Sequence, residues 1–192
     1  MSNEIDLSKE KINVLVAYTS QNRYIGYEGD LPWKRDFKGD MKYVTKLIRL
    51  YPNTALVVGK TTYETIKRIK DVQILVVTSS EVAEGNAKSF KTLPEAIDFA
   101  KSSGMYVIAF GGSKIYEDAI RSYDCKLFCT VVEENSLKGD RTFPEVDARL
   151  ENVSSKVDQF LVDKKVEKTW ELKDNCFYEN GYEYRFYVGY KI

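Results

Sequence analysis

The sequence predicts an α/β protein with a mostly parallel central sheet, helices on both faces of that sheet and an antiparallel hairpin at the C-terminal end. Through most of the chain, short β-branched and aliphatic runs alternate with segments of helical spacing. Such alternation is typical of a parallel sheet covered by helices. Near the C-terminus, an Asn-Gly turn signal precedes a run that alternates apolar and polar residues, as hairpins do.

Apolar runs of strand length predict the parallel strands, and the amphipathic segments between them predict the helices. The predicted strands are residues 12–18, 54–58, 73–78, 106–110 and 126–132. The predicted helices are residues 40–51, 61–68, 94–101 and 113–121. Residues 168–173 and 184–192 are predicted as the antiparallel strands, on either side of Asn180-Gly181.

The length and composition predict one globular domain. The chain has 192 residues, 43% hydrophobic and 30% charged, and contains no Gly/Ser/Pro-rich linker. We expect a single domain over residues 12–192, because a chain of this length can bury a substantial core. Residues 1–11 are polar and of mixed charge, which predicts a loose extension rather than a signal peptide.

The composition also excludes several classes of function. Lys+Arg and Asp+Glu both number 29, so net charge favours neither nucleic acid nor a membrane surface, and no apolar run is long enough to span a bilayer. The three cysteines are typical of reduced thiols in a cytoplasmic protein. Because the chain has no histidine, Ser-His and Cys-His nucleophiles and the HExxH zinc site are excluded, and no metal site is expected.

Two strand-to-helix junctions combine glycine with a following lysine, at Gly59-Lys60 and at Gly111-Gly112-Ser113-Lys114. Glycine allows a ligand to approach the backbone closely, and the free N–H groups that open a helix attract anions. Two such junctions in one parallel sheet would suit the phosphates of a dinucleotide. Neither is a GxGxxG or P-loop motif, so tight turns with solvated lysines remain the alternative.

Asp40 is the one carboxylate on an apolar helical stripe. On a helix, Asp40 would lie beside Met41. It would share one face with four apolar or aromatic residues, Val44, Leu47, Ile48 and Tyr51. A carboxylate in this position costs stability unless it is exposed, paired or used. The alternative is an acidic residue in the first helical turn, where the helix dipole favours it.

In chain order, these pieces resemble the dihydrofolate reductase family from Ile12 to the C-terminus. Gly29-Asp30-Leu31-Pro32-Trp33 is similar to the family's Leu-Pro-Trp motif, and Asp40-Met41-Lys42-Tyr43 to its acid-bearing helix. The other matching segments are the first strand and loop (residues 16–26), the phosphate-binding segment (57–66), the Gly-Gly turn with its cis peptide (110–116), a late strand (127–130) and the Gly-Asp-x-x-Phe-Pro loop (139–144).

The resemblance implies hydride transfer from NADPH to C6 of dihydrofolate, giving tetrahydrofolate for one-carbon metabolism. It implies that Asp40 binds the amino and ring N–H groups of the pterin and favours protonation of N5, and that Thr130 hydrogen-bonds the same end. Because Asp40 lies on an apolar face, desolvation should raise its pKa. The implied substrate contacts are Val16, Ala17, Leu31, Met41, Val44, Ile66, Phe110 and Tyr116.

The resemblance also implies which residues bind the cofactor. Those implied for the 2′-phosphate end are Lys60, Thr61, Ser79, Ser80 and Lys114. Those implied for the pyrophosphate are Thr62, Gly111, Gly112, Ser113, Lys114 and Ile115, and those for the nicotinamide are Ala17, Ile25, Gly26 and Tyr116. Lysines and hydroxyls at the ribose favour NADPH over NADH, because the additional dianion must be neutralised.

Three positions depart from the family pattern. The spacing between Trp33 and Asp40 is longer than usual, which makes Asp36 a rival for the acid role, although Asp36 could instead cap the helix. Val44 replaces a phenylalanine that packs on the substrate. Gln73 stands where an arginine clamps the folate carboxylate, a bidentate contact that glutamine cannot make; Arg68 or Lys70 could replace it.

These departures leave two alternative functions open. One is another NADPH reductase of the same fold, such as the pyrimidine reductase of riboflavin synthesis, which would explain the missing arginine. The other is a non-catalytic relic that binds NADPH or serves as a scaffold. The expectation from the resemblance is a monomeric cytoplasmic enzyme that binds a small-molecule substrate.

Overall fold

The computed structural model describes residues 4–192, which cluster into two compact units. Unit 1 contains Val16–Leu47, Leu127–Ile192 and the described residues up to Asp6, and unit 2 contains Leu7–Leu15 and Ile48–Lys126. Among the described residues, no helix has the length and apolar character needed to cross a membrane.

The described chain forms strands and helices in an alternating order that changes to mostly strands near the C-terminus. In sequence they are β1 (Ile12–Thr19), β2 (Tyr24–Gly26), α1 (Lys38–Leu47), β3 (Thr54–Gly59), α2 (Lys60–Ile66), β4 (Gln73–Val77), β5 (Ala87–Phe90), α3 (Leu93–Ser102), β6 (Tyr106–Gly111), α4 (Ser113–Ser122), β7 (Cys125–Val132), β8 (Arg141–Thr142), β9 (Ala148–Asn152), α5 (Ser154–Asp163), β10 (Glu171–Lys173), β11 (Cys176–Glu179) and β12 (Tyr182–Lys191).

Unit 2 contains the parallel sheet that the alternation predicted. Its strands lie in the order β6-β3-β4-β5, and the first residues of β1 pair with β6 in parallel. The central strands β3, β4 and β6 are rich in fully buried aliphatic residues, among them Leu56, Ile74 and Ile108. Continuous burial of this kind explains why these strands are apolar runs rather than alternating patterns.

Unit 1 contains the antiparallel strands. β12 pairs with β11 and with β9, and β11 pairs with β10, all antiparallel. Asn180 and Gly181 have positive φ angles of 51° and 82°, as a type I′ hairpin turn requires. The inward residues of β12 that the alternation predicted, Tyr184, Phe186 and Val188, are buried. An antiparallel hairpin at the C-terminus is confirmed, but the strand that pairs with β12 across the Asn180-Gly181 turn is β11 and not the predicted residues 168–173.

Several boundaries and elements differ from the prediction. Helix α1 begins at Lys38 and ends at Leu47, not at Tyr51; the proline at position 52 disfavours a helical conformation at Tyr51 itself. Strand β10 begins at Glu171 rather than at residue 168. The prediction also lacked β2, β5, β8, β9, β11 and α5, whose sequences are short or largely exposed and carry little periodic signal.

Part of the predicted loose extension is packed against unit 2. Leu7 is buried, and Asn13 exchanges hydrogen bonds with the backbone of Ser8 at 2.8 and 2.9 Å. The ammonium of Lys101 donates to the backbone oxygen of Glu10 at 2.9 Å. Residues 7–11 are therefore part of unit 2, held by the burial of Leu7 and by hydrogen bonds to the backbone of Ser8 and Glu10; residues 1–3 lie outside the described part of the chain.

Candidate active site

Asp40 lies in the first turn of α1 in unit 1, and only 6% of its surface is exposed. The hydroxyl of Thr130, on β7, donates a hydrogen bond of 2.6 Å to Oδ1 of Asp40. Asp40 shares the buried face of α1 with Tyr43 and Leu47, whereas Val44 is half-buried. Asp40 thus does lie in the first helical turn, as the alternative from the sequence had it, but it is buried there and accepts a hydrogen bond from Thr130.

Burial raises the pKa of Asp40 to about 6, from an ordinary value of 3.8. Desolvation is the largest cause; the hydrogen bond from Thr130 acts in the opposite direction, and the charge of Glu179 raises the pKa further. The sequence prediction of a raised pKa is confirmed, with desolvation as the predicted cause. The carboxyl group can therefore change its protonation state near neutral pH.

The raised pKa predicts a pH-dependent stability difference between the wild type and Asp40→Asn. Because the folded pKa is about 6 and the ordinary value is 3.8, the folded wild type binds more protons than the unfolded chain between these values. The free energy of unfolding of the wild type should therefore fall, relative to the variant, by up to about 3 kcal/mol as the pH rises through this window. Urea titrations from about pH 4 to about pH 7 measure this difference in the free energy of unfolding. A difference that stays constant with pH would contradict the prediction.

The rival acid, Asp36, has different surroundings. It is exposed, and its Oδ2 accepts a hydrogen bond of 3.1 Å from the hydroxyl of Tyr182. It also does not take the helix-capping role considered from the sequence, because the backbone N–H groups of Lys38 and Gly39 donate to Glu179 instead. Burial and the contact with Thr130 favour Asp40 over Asp36 as the acid.

Aromatic stacking fixes the segment that leads into α1. Trp33, of the Leu-Pro-Trp run, stacks on Phe37 with ring centroids 5.4 Å apart, and Phe37 stacks on Tyr184 at 4.4 Å. All three rings are buried. The predicted substrate contacts of unit 1 differ in exposure: Val16 is buried, Ala17, Leu31 and Val44 are half-buried, and Met41 is 36% exposed. Leu31, Met41 and Val44 thus retain surface that a ligand could cover.

In unit 2 the two glycine junctions lie side by side. Strands β3 and β6 are parallel, with Val58 opposite Gly111, and the bond from Gly111 to Gly112 is cis as the resemblance implied. A Cβ atom on Gly112 would lie 3.4 Å from the hydroxyl oxygen of Thr62. In residues 4–192, Ser113 Oγ is buried and has no hydrogen-bond partner. A buried hydroxyl without a partner at the start of α4 suits an anionic ligand.

The other predicted cofactor residues of unit 2 are mostly accessible. Those that are exposed are Lys60, Thr61, Ser79, Ser80 and Lys114. The ammonium groups of Lys60 and Lys114 pair with Glu64 at 3.1 Å and Asp118 at 3.0 Å, but surface pairs of this kind hold a lysine only weakly. Both lysines could therefore turn to a phosphate.

Tyr116 and the apolar residues near it in unit 2 are less accessible. The hydroxyl of Tyr116 lies 2.8 Å from the backbone oxygen of Leu15 and 2.9 Å from that of Phe110, and Ile115 is buried. Ile66 and Phe110 are half-buried. In unit 1, Ile25 and Gly26 are also half-buried.

Gln73 lies at the start of β4, where its side-chain amide donates to the backbone oxygen of Asn86 at 2.7 Å. Arg68 and Lys70 are exposed. A guanidinium nitrogen of Arg49 donates to the backbone oxygen of Lys70 at 3.2 Å, a neighbour that the sequence did not indicate. Gln73 thus has a structural partner, while cations remain nearby in sequence and structure.

Glu179 is a buried carboxylate that binds the start of α1 and was not predicted as a site residue from the sequence. A signal was available, because Glu179 directly precedes the Asn-Gly turn on an inward-facing hairpin position. The contact between Glu179 and α1 joins segments far apart in the chain, so a local sequence pattern could not predict it.

Unit 2 thus has a parallel sheet with paired glycine turns, unit 1 has a buried carboxylate of raised pKa, and the described chain is an α/β protein. A sequence model described as "Dihydrofolate reductase" matches residues 11–180. The dihydrofolate reductase of Schistosoma mansoni is 30% identical over 193 residues, covering 93% of this chain and 95% of that protein. Dihydrofolate reductase type 15 of Escherichia coli is 32% identical over 143 residues, covering 73% of this chain and 87% of that protein.

The comparison with solved structures indicates the same family as the sequence comparisons. A structure of Schistosoma mansoni dihydrofolate reductase matches with a TM-score of 0.72 and 26% identity, and the match covers 96% of this chain and all of that one. The chain belongs to the dihydrofolate reductase family. It is accordingly an oxidoreductase that acts on a CH–NH group.

Proposed function

We propose that this chain reduces 7,8-dihydrofolate to tetrahydrofolate with NADPH, and that Asp40 assists protonation of N5. Dihydrofolate reduction follows from the family. The observation that carries the assignment of the acid is the burial of Asp40, which raises the pKa of its carboxyl to about 6 although the hydrogen bond from Thr130 acts in the opposite direction. A group with such a pKa can bind a polar substrate and influence its protonation near neutral pH.

The geometry around Asp40 leaves one carboxylate oxygen for the substrate. Oδ1 accepts from Thr130, and within residues 4–192 no side chain or amide donates to Oδ2. In the ionised form this free oxygen would accept hydrogen bonds from the amino and ring N–H groups of the pterin. A negative charge held there in a site of low dielectric favours the protonated form of N5.

The residues of unit 2 fit NADPH as the cofactor. The adjacent turns at Gly59 and Gly112 and the unpartnered hydroxyl of Ser113 would hold the pyrophosphate. Lys60, Thr61, Ser79 and Ser80, with Lys114, would hold the 2′-phosphate, whose charge distinguishes NADPH from NADH. When bound, the cofactor supplies the hydride for C6 of the pterin.

A comparison of two substrates tests the proposal against the alternative reductase. We expect the chain to oxidise NADPH rapidly with dihydrofolate and not with an aminopyrimidine phosphate, because a pterin would offer its amino and ring N–H groups to Asp40. The opposite preference would favour the riboflavin-pathway type. NADPH binding with no turnover of either substrate would favour the non-catalytic alternative.

Gln73→Arg should lower the KM for dihydrofolate by about tenfold, with kcat nearly unchanged. An arginine at the start of β4 could form the bidentate contact with the carboxylate of the substrate tail, and a hydrogen bond between charged groups contributes about 1.5–3 kcal/mol. Steady-state kinetics of both proteins, and of Gln73→Met as a control that adds no charge, measure the effect. An unchanged KM for Gln73→Arg would show that another cation, such as Arg68 or Lys70, already holds the tail.

We further propose that the enzyme is a cytosolic monomer whose single domain, predicted over residues 12–192, also includes residues 7–11. The state of the thiols supports the location, because Cys125, Cys129 and Cys176 are all buried and none forms a disulfide. Reduced cysteines of this kind are typical of the cytosol.

A further inference from the structure

Glu179, on β11, is a buried carboxylate whose hydrogen bonds all come from groups around the start of α1. Its Oε1 accepts from the backbone N–H groups of Lys38 and Gly39, both at 3.0 Å, and from the hydroxyl of Tyr184 at 2.7 Å. Its Oε2 accepts from the hydroxyl of Thr169 at 2.6 Å. The side chain therefore supplies, from a distant hairpin, the acceptor that the first amides of a helix need.

We propose that Glu179 is a positioning residue for Asp40: its carboxylate fixes the first turn of α1 through the amides of Lys38 and Gly39. Asp40 directly follows Gly39, so any movement of these amides moves the backbone of the acid. The inference rests on the proposed function of Asp40, although it concerns a contact that can be measured without catalysis.

Glu179 also acts on Asp40 through its charge. Although burial opposes ionisation of Glu179, the hydrogen bonds from Thr169, Tyr184 and the two amides outweigh it and hold its pKa below the ordinary 4.5. Glu179 is therefore ionised at neutral pH. Its charge adds to desolvation in raising the pKa of Asp40, because neighbouring like charges disfavour each other.

The other titratable groups around Asp40 are uncharged at neutral pH. Burial raises the pKa of Tyr43, on α1, and of Tyr184, on β12, above the range of tyrosine, and it raises the pKa of the Cys129 thiol, on β7, to about 12. Among the groups that shift the pKa of Asp40, Glu179 is thus the one that carries a charge. Its removal should have an electrostatic effect that loss of a neutral packing residue would not have.

Glu179→Gln tests the proposal, with Glu183→Gln as the matched control. Glu183 lies on the same hairpin and carries the same charge, but it is exposed. We expect Glu179→Gln to lower kcat with dihydrofolate by about tenfold or more while the KM for NADPH stays within about twofold. The ¹³C titration midpoint of the Asp40 carboxyl, assigned with Asp40→Asn, should fall by about half a pKa unit or more. Amide exchange at Lys38 and Gly39 should become faster, and the control should change none of these.

The outcomes separate this proposal from the proposed function. The role of Glu179 would be overturned, even in an active enzyme, if Glu179→Gln left two quantities unchanged from the wild type. These are the amide exchange rates at Lys38 and Gly39 and the titration midpoint of the Asp40 carboxyl. If the wild type reduces no dihydrofolate, the proposed function fails, while the titration and the exchange still report on Glu179. Should Glu179→Gln not fold, Glu179→Asp keeps the charge but shortens the reach: faster exchange with lower kcat supports the proposal, and wild-type values contradict it.

Discussion

Asp40→Asn is expected to lower the rate of hydride transfer at neutral pH by about a hundredfold or more, in a protein that still folds. Asparagine has nearly the same shape and can still accept the hydrogen bond that Thr130 donates to Oδ1. It cannot carry the negative charge that favours a protonated N5, and its amide would present N–H groups to the N–H groups of the pterin. Single-turnover measurements with saturating NADPH and dihydrofolate report the step directly.

Asp36→Asn is the matched control for this variant. The substitution removes one negative charge, as Asp40→Asn does. Asp36 lies four residues earlier, is exposed and accepts a hydrogen bond from Tyr182. We expect its hydride-transfer rate to stay within about twofold of the wild type. A large loss in Asp36→Asn with a normal rate in Asp40→Asn would reverse the assignment of the acid.

Gly39→Ala is expected to lower the free energy of unfolding by about 2–3 kcal/mol and to reduce activity with it. A Cβ atom on Gly39 would overlap the hydroxyl of Tyr184 and would lie 3.2 Å from the Trp170 ring. Tyr184 has little room to move, because its ring stacks on Phe37 at 4.4 Å and packs on Phe177 at 5.4 Å. The new methyl group must therefore displace the start of α1, and Asp40 with it.

Gly59→Ala provides a comparison for stability. A Cβ atom on Gly59 would lie 3.9 Å from its nearest neighbours, and the φ angle of −80° is allowed for alanine. Because Gly59 is the N-cap of α2, where alanine is less favourable than glycine, urea unfolding without cofactor should show a loss of about 1 kcal/mol or less, smaller than in Gly39→Ala. Equal losses in the two variants, or none in Gly39→Ala, would contradict the tight packing of α1 against the aromatic cluster.

The parallel strands and their helices could be predicted because their signals are local. Buried aliphatic runs such as those of β3 and β6, and glycines where strands turn into helices, are visible in the sequence. The exposed strand β9 and the short β11 were missed, because strands of this kind depend on their partners more than on their own pattern. The end of α1 was placed too late because apolar periodicity continued past Leu47 toward Pro52.

For the candidate site, the sequence indicated Asp40 as the acid through its resemblance to the family, and it predicted the raised pKa because the carboxylate fell on an apolar face. It also indicated Gly59 and Gly112, which the parallel register of β3 and β6 brings together. Glu179 could not be predicted in the same way, since its contact with Gly39 joins residues 140 positions apart. Contacts between distant segments follow from the complete fold and not from the spacing of one motif.

The central claim is that this chain transfers a hydride from NADPH to dihydrofolate with the assistance of Asp40. Single-turnover reduction with NADPH deuterated at the transferred C4 position tests it most directly, because the fate of the deuterium identifies both donor and acceptor. We expect deuterium at C6 of tetrahydrofolate from the wild type, and formation of that product about a hundredfold or more slower in Asp40→Asn. Tetrahydrofolate without deuterium at C6, or equal rates in the two proteins, would contradict the account.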